Sequence, residues 1–170
     1  MRQAIAGTWV YQLVIIFILL FVSFLTLSLT YSKAFKNKNE LLNIIEKYEG
    51  VTQESIAIMN NYLVSNGYRV THSCPTNDGL PWYGVQDIEG QSIVFKQAVA
   101  GEKYSYCIRR QKSSVSNNKV YYELKIFFKF NLPVVENVGT FTVDGSTSDI
   151  FESCDLIYQN VNKNRAKCGK

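Results

Sequence analysis

From Ala4 to Ser32 the chain carries no charged side chain, while all 14 Asp and Glu and all but one of the 18 Lys and Arg lie after that stretch. Within it, Thr8 to Tyr31 reads TWVYQLVIIFILLFVSFLTLSLTY. At roughly 1.5 Å of rise per residue this is about 36 Å of helix, more than a hydrocarbon core of about 30 Å requires. Trp9 and Tyr11 stand at one end and Tyr31 at the other, the positions that interfacial aromatic residues take. β-branched residues and Phe are no obstacle there, because in lipid only a helix satisfies its own backbone. A cleaved secretory signal is the competing reading. The apolar core is longer than such a signal needs, and no small-x-small site precedes a clear mature start. The sequence therefore divides into a short N-terminal segment over residues 1–7, a transmembrane helix over residues 8–32 and a polar domain over residues 33–170.

That polar domain is long enough to bury a core. The net charge of +4 is mild and its basic residues are interspersed with acidic ones, so nucleic-acid binding is not expected. Lys33, Lys36 and Lys38 abut the apolar segment, where anionic lipid headgroups attract cations. Four cysteines, Cys74, Cys107, Cys154 and Cys168, all fall in the polar part. With no Cys-x-x-Cys and His72 as the single histidine, their spacing fits no zinc site, and no metal or cofactor is expected. An even count behind a membrane segment points to disulfides in an oxidising, extracytoplasmic space; free thiols in a reduced compartment are the alternative. Of the three possible pairings we favour Cys74 with Cys107 and Cys154 with Cys168, since the latter would pin a polar tail. Counting Lys and Arg alone, the flanks mildly favour a cytoplasmic C-terminal domain. The cysteines favour the opposite, and we give them more weight.

Periodicity sets the fold class. Phe35, Leu41, Leu42, Ile45 and Tyr48 continue the helical spacing to about residue 49, with Gly50 as a stop. A second helix over 53–66 follows, with Thr52 as its N-cap, Glu54 in its first turn and Gly67 just past its end. Thereafter the period is two. The strongest strand is Lys119–Leu132, apolar at every even position, with Tyr121 and Phe127 as exceptions on the polar face. Val138–Val143 reads as its partner, closed by an Asp144-Gly145 turn. Tyr68–Ser73, Trp82–Asp87, Ser92–Ala98 and Lys103–Arg110 are further strands. They are separated by Asn77-Asp78-Gly79, Glu89-Gly90 and Gly101-Glu102, with Gln111–Asn118 as a loop. The expected fold is α+β: a long N-terminal helix packed on an antiparallel β-meander.

No catalytic constellation can be assembled. The glycine-rich phosphate loop, the Gly-x-Ser-x-Gly elbow and the His-Glu-x-x-His motif are all missing. Asp144, Asp149 and Asp155 fall in a loop-rich stretch that suits Ca²⁺ in composition but not in ligand spacing, and solvated carboxylates are the simpler reading. Trp82 and Tyr83 are either an exposed binding surface or a packed strand start.

The heptapeptide MRQAIAG, one basic residue and a closing Gly7, followed by Thr8, Trp9, Val10, Tyr11 and Gln12 ahead of a long apolar helix, resembles the N-terminus of type IV pilins and pseudopilins. The segment VYYELKIFFKFNLPVVENVGTFTVDGST is similar to the strand–Pro–strand stretch of Tad-type, TadE-like minor pilins. This resemblance implies that a prepilin peptidase cuts between Gly7 and Thr8 and that the helix stays on the mature protein. It also implies that the helix packs against other pilin-like subunits in a bacterial filament, secretion, adhesion or DNA-uptake machine. The family usually has Glu at the fifth mature position, paired with a neighbour's new N-terminus. Gln12 stands there in this chain, so the ion pair is not carried over, which leans towards a minor subunit. The alternative is a single-pass anchored binding or sensory domain with no filament role.

Overall fold

The computed structural model describes residues 2–76, 79–88, 92–116, 118–129 and 139–161. Helix α1 is a single run of 46 residues, Arg2–Lys47. No Gly or Pro interrupts it between Thr8 and Lys47, so nothing in its sequence offers a hinge. Its end differs from the simple glycine stop. Glu49 takes the left-handed position at φ 51°, while the Gly50 amide donates to the Ile45 carbonyl and the Glu49 amide to that of Glu46. That is a Schellman closure with a non-glycine residue at its left-handed site. Gly50 follows at φ 137°, where a Cβ would meet Ser153 Oγ at 2.9 Å and Tyr122 Oη at 3.0 Å. Close packing and backbone together therefore require glycine here.

Helix α2, Gln53–Ser65, begins with a reciprocal capping box. The Ser55 amide donates to Thr52 Oγ1 at 3.1 Å and the Thr52 amide to Ser55 Oγ at 2.9 Å. Gly67, at φ 70°, closes it.

Among the described residues the sheet has six antiparallel strands: β1 Tyr83–Ile88, β2 Ser92–Gln97, β3 Tyr106–Lys112, β4 Lys119–Lys129, β5 Thr140–Ser146 and β6 Ile150–Phe151. A short helix, α3 Leu156–Val161, ends the described chain. The strand order is β2-β1-β3-β4-β5, and β6 pairs with the start of β4. Only β3, β4 and β5 are a true meander, since β3 returns to the free edge of β1 past β2. Even residues of β4 (Val120, Tyr122, Leu124, Ile126 and Phe128) face α1 and α2. There they join Leu41, Ile45, Ile56, Met59 and Leu63 in the main core. Full burial of each Leu or Ile side chain contributes about 1.5–3 kcal/mol, which fastens the second half of α1 to the sheet.

Several expectations are corrected. Asp144 and Gly145 form no turn: they pair with Lys125 and Leu124 inside β5. Gly145 is where α1 crosses closest, since a Cβ there would lie 2.7 Å from Lys38 Cδ and 2.9 Å from a Leu42 methyl. Residues 68–73 form no strand; one isolated bridge, His72 to Tyr104, ties them to the sheet. The Tyr68 hydroxyl takes their place in the ladder, accepting from the Phe127 amide at 2.8 Å and donating to the Phe127 carbonyl at 2.6 Å. β3 starts later than expected, at Tyr106, and extends two residues into the expected 111–118 loop, because Gln111 and Lys112 pair with Tyr121 and Val120. β6 and α3 lack a sequence signature, being short and held by tertiary contacts. The far end of the long strand, residues 130–132, and the start of its partner at Val138 lie outside the described residues, as do Asn77, Asp78, Glu89 and Gly90.

The polar face of the sheet carries a second small core. Phe127, Trp82 and Tyr104 pack with the Cys74–Cys107 disulfide, which explains Phe127 as an exception to the alternation.

Candidate functional site

Among the described residues, the longest run of exposed large apolar side chains is the first half of α1. From Trp9 to Leu29 every large apolar side chain is exposed, Phe17 at 70%. The same helix from Ala34 to Ile45 is buried against the sheet at Ala34, Leu41, Leu42, Ile44 and Ile45. The first half holds one segment long and apolar enough to cross a membrane. Three of its hydroxyls donate to carbonyls one turn back within the helix. Ser23 Oγ donates to the Leu19 carbonyl at 2.7 Å, Thr26 to Val22 at 2.9 Å and Thr30 to Thr26 at 2.8 Å. These bonds remove the cost of placing the hydroxyls in hydrocarbon. Gly7, Thr8 and Gln12 all lie within the helix. Thr8 and Gln12 stand one turn apart on one side, and the Gln12 side chain is exposed.

Where the helix emerges from the domain, the structure separates the three lysines. Lys33 and Lys36 are exposed. Lys38 is buried: its ammonium lies 4.1 Å from the centre of the Phe35 ring and its stem crosses Gly145. It is a packing residue rather than a headgroup lysine, which weakens the charge argument for a cytoplasmic domain.

The cysteines are outside this region. Cys74 and Cys107 are joined across a sequence separation of 33. Cys154 is also disulfide-bonded, and Cys168 lies outside the described residues.

The remaining candidates resolve into scaffold. Trp82 and Tyr83 are 2% and 3% exposed, so the exposed-binding-surface reading is corrected. Beside Trp82 an open groove of about 380 Å³ is lined by Arg109, Glu123, Lys125 and Asp144. Its charges neutralise one another, Arg109 with Glu123 at 2.5 Å and Lys125 with Asp144 at 3.7 Å. Arg109 and Lys125 also lie over the indole at 4.5 and 5.1 Å. His72 packs edge-on to Phe127. The three aspartates do not converge. Asp144 pairs with Lys125, Asp149 accepts from Ser113 Oγ at 2.6 Å, and Asp155 is buried. Among the described residues no cluster of His, Cys, Asp and Glu is arranged to hold a metal.

Asp155 is the one buried carboxyl among the described residues. It accepts from the Tyr122 hydroxyl and, at 2.6 Å, from the Tyr158 amide, with Arg110 Nε 4.0 Å away. Burial pushes its pKa above the ordinary carboxyl range, and the Tyr122 and Tyr158 hydrogen bonds oppose that shift. Arg110 also pairs with Glu152 at 2.9 Å, and the Leu156 amide donates to the Val51 carbonyl. Together these bonds clamp the C-terminal segment over the α1–α2 junction, a structural role.

No family model, curated protein or solved structure matches this chain.

Proposed function

We propose that this chain is a pilin-like subunit, a minor pilin or pseudopilin, of a filament, secretion, adhesion or DNA-uptake machine. The observation that carries the reading is the division of α1: one unbroken helix, fastened to the sheet over its second half and uncovered over its first. Such a helix is stored in the bilayer and, on assembly, exchanges lipid for the helices of neighbouring subunits. Either environment keeps its apolar surface from water. The sheet faces outward. The leader ending at Gly7 supplies the cleavage site for a prepilin peptidase, and the Cys74–Cys107 disulfide favours an extracytoplasmic domain with a cytoplasmic N-terminus.

Cross-linking tests the assembly claim. Phe17→Cys, on the uncovered half, should give disulfide-linked oligomers in cells assembling the machine. Monomers alone under those conditions would contradict it. A second reading, an anchored binding or sensory domain, is favoured by the neutral Gln12. Gly7→Leu separates the two, because it abolishes function only where a peptidase must cut.

A further inference from the structure

At the end of the sheet where α1 departs, four aromatic rings form one chain. Tyr31 lies 6.4 Å from Phe35 and 6.1 Å from Phe128, and Phe128 stacks on Phe141 at 5.4 Å. Three of them are substantially exposed: Tyr31 at 51%, Phe35 at 43% and Phe141 at 43%. The exposed lysines Lys33, Lys36 and Lys129 neighbour these rings along the chain, Lys33 and Lys36 on either side of Phe35 and Lys129 directly after Phe128. Tyr31 closes the apolar segment, so a bilayer crossed by α1 has its interface at this level. Phe35 is one turn, about 6 Å, further along. The ring contacts bring the sheet residue Phe141 to the same height. Because α1 has no hinge and its second half is buried against the sheet, this end of the domain cannot rise from the bilayer without tilting the helix.

We infer that this end of the sheet is a membrane-resting foot, in which Tyr31, Phe35 and Phe141 enter the headgroup–acyl boundary and Lys33, Lys36 and Lys129 contact anionic phospholipid headgroups. Half-exposed aromatic rings flanked by cations are the composition that this boundary favours. Continuity with the apolar half of α1 names the occupant as the lipid surface itself. The inference rests on α1 crossing a bilayer and is independent of filament assembly. Its consequence is a helix tilted towards its sheet side, with the domain's orientation fixed before any partner is met.

The test uses the full chain in nanodiscs carrying a gadolinium-headgroup lipid, reading paramagnetic relaxation at Phe141 relative to Tyr31. In discs containing phosphatidylglycerol the ratio should be high. It should fall about fivefold or more in pure phosphatidylcholine, or when Lys33→Gln, Lys36→Gln and Lys129→Gln are combined. Phe141→Ser, read at the neighbouring Thr142 amide, should lower relaxation in both lipids. Unchanged shifts at Ser113 and Ser148, at the opposite end of the sheet, show that each variant is folded. A ratio indifferent to lipid charge and to both variants would overturn the inference. So would a Phe141 signal that follows protein concentration rather than lipid composition, since that would mark a face between copies.

Discussion

The two halves of α1 share one helical backbone, yet they answer to different solvents. Between Ala34 and Ile45 the apolar residues recur on one side and the other side is polar, the pattern of a helix with a protein partner. Between Thr8 and Thr30 the residues are apolar all round, and no single face could bury them against a sheet. The transition falls within about one turn, between Tyr31 and Phe35, where aromatic rings from helix and sheet meet. A helix thus states its environment by how its apolar residues are distributed around it, and two environments can be written along one rod.

The largest effect should come from breaking the docked half alone. Ile45→Asp places a charge at a position with no solvent exposure and should cost about 4 kcal/mol or more. The sheet domain should unfold by near-UV circular dichroism while the chain still sediments with membranes. Removing the disulfide acts on the domain through its unfolded state. Cys74→Ser with Cys107→Ser frees a loop of sequence separation 33, worth about 3–4 kcal/mol in the chain-entropy account, and should lower the thermal midpoint without altering membrane retention. The converse experiment is Leu20→Lys in the uncovered half. It should disfavour insertion by about 3 kcal/mol, read as loss from the membrane fraction, and leave the domain's melting unchanged. Gly145→Val tests the crossing point directly. Its side chain would meet Lys38 and Leu42, separating α1 from β5 at about 1–3 kcal/mol of domain stability.

The smallest effect is a pH dependence. The Asp155 carboxyl binds its proton more tightly in the folded domain than in the unfolded chain, whose value is near 3.8. The stability this group contributes is therefore present below that value and is lost as pH rises through the higher folded value. Asp155→Asn should flatten that slope in melts across the acidic range. An unchanged slope would place the dependence on another group.

The anchor, the two helices and β4 were legible because each is long and strongly periodic. Thr52 and Gly67 were legible as caps for the same reason that they work, since each supplies a group or a backbone conformation that the helix end lacks. Asp144-Gly145 misled because the pair suits a tight turn. Only the approach of Lys38 and Leu42 shows why glycine is needed within a strand. Lys38 looked like a headgroup lysine because sequence position does not reveal which side of a helix is covered. The aromatic foot could not be read from the sequence at all: Phe128 meets Tyr31 only through the packing of α1 on the sheet, and Phe141 meets Phe128 only through the register of β4 and β5. Gly7, Thr8 and Gln12 were singled out by resemblance alone, not by periodicity or spacing.

We propose that the uncovered half of α1 is an assembly helix released from a leader, and intact mass spectrometry of the protein purified from cells that carry a prepilin peptidase tests this. The expected product is a mature chain that begins at Thr8, without residues 1–7; a chain that still carries Arg2 to Gly7 in those cells would sink the proposal.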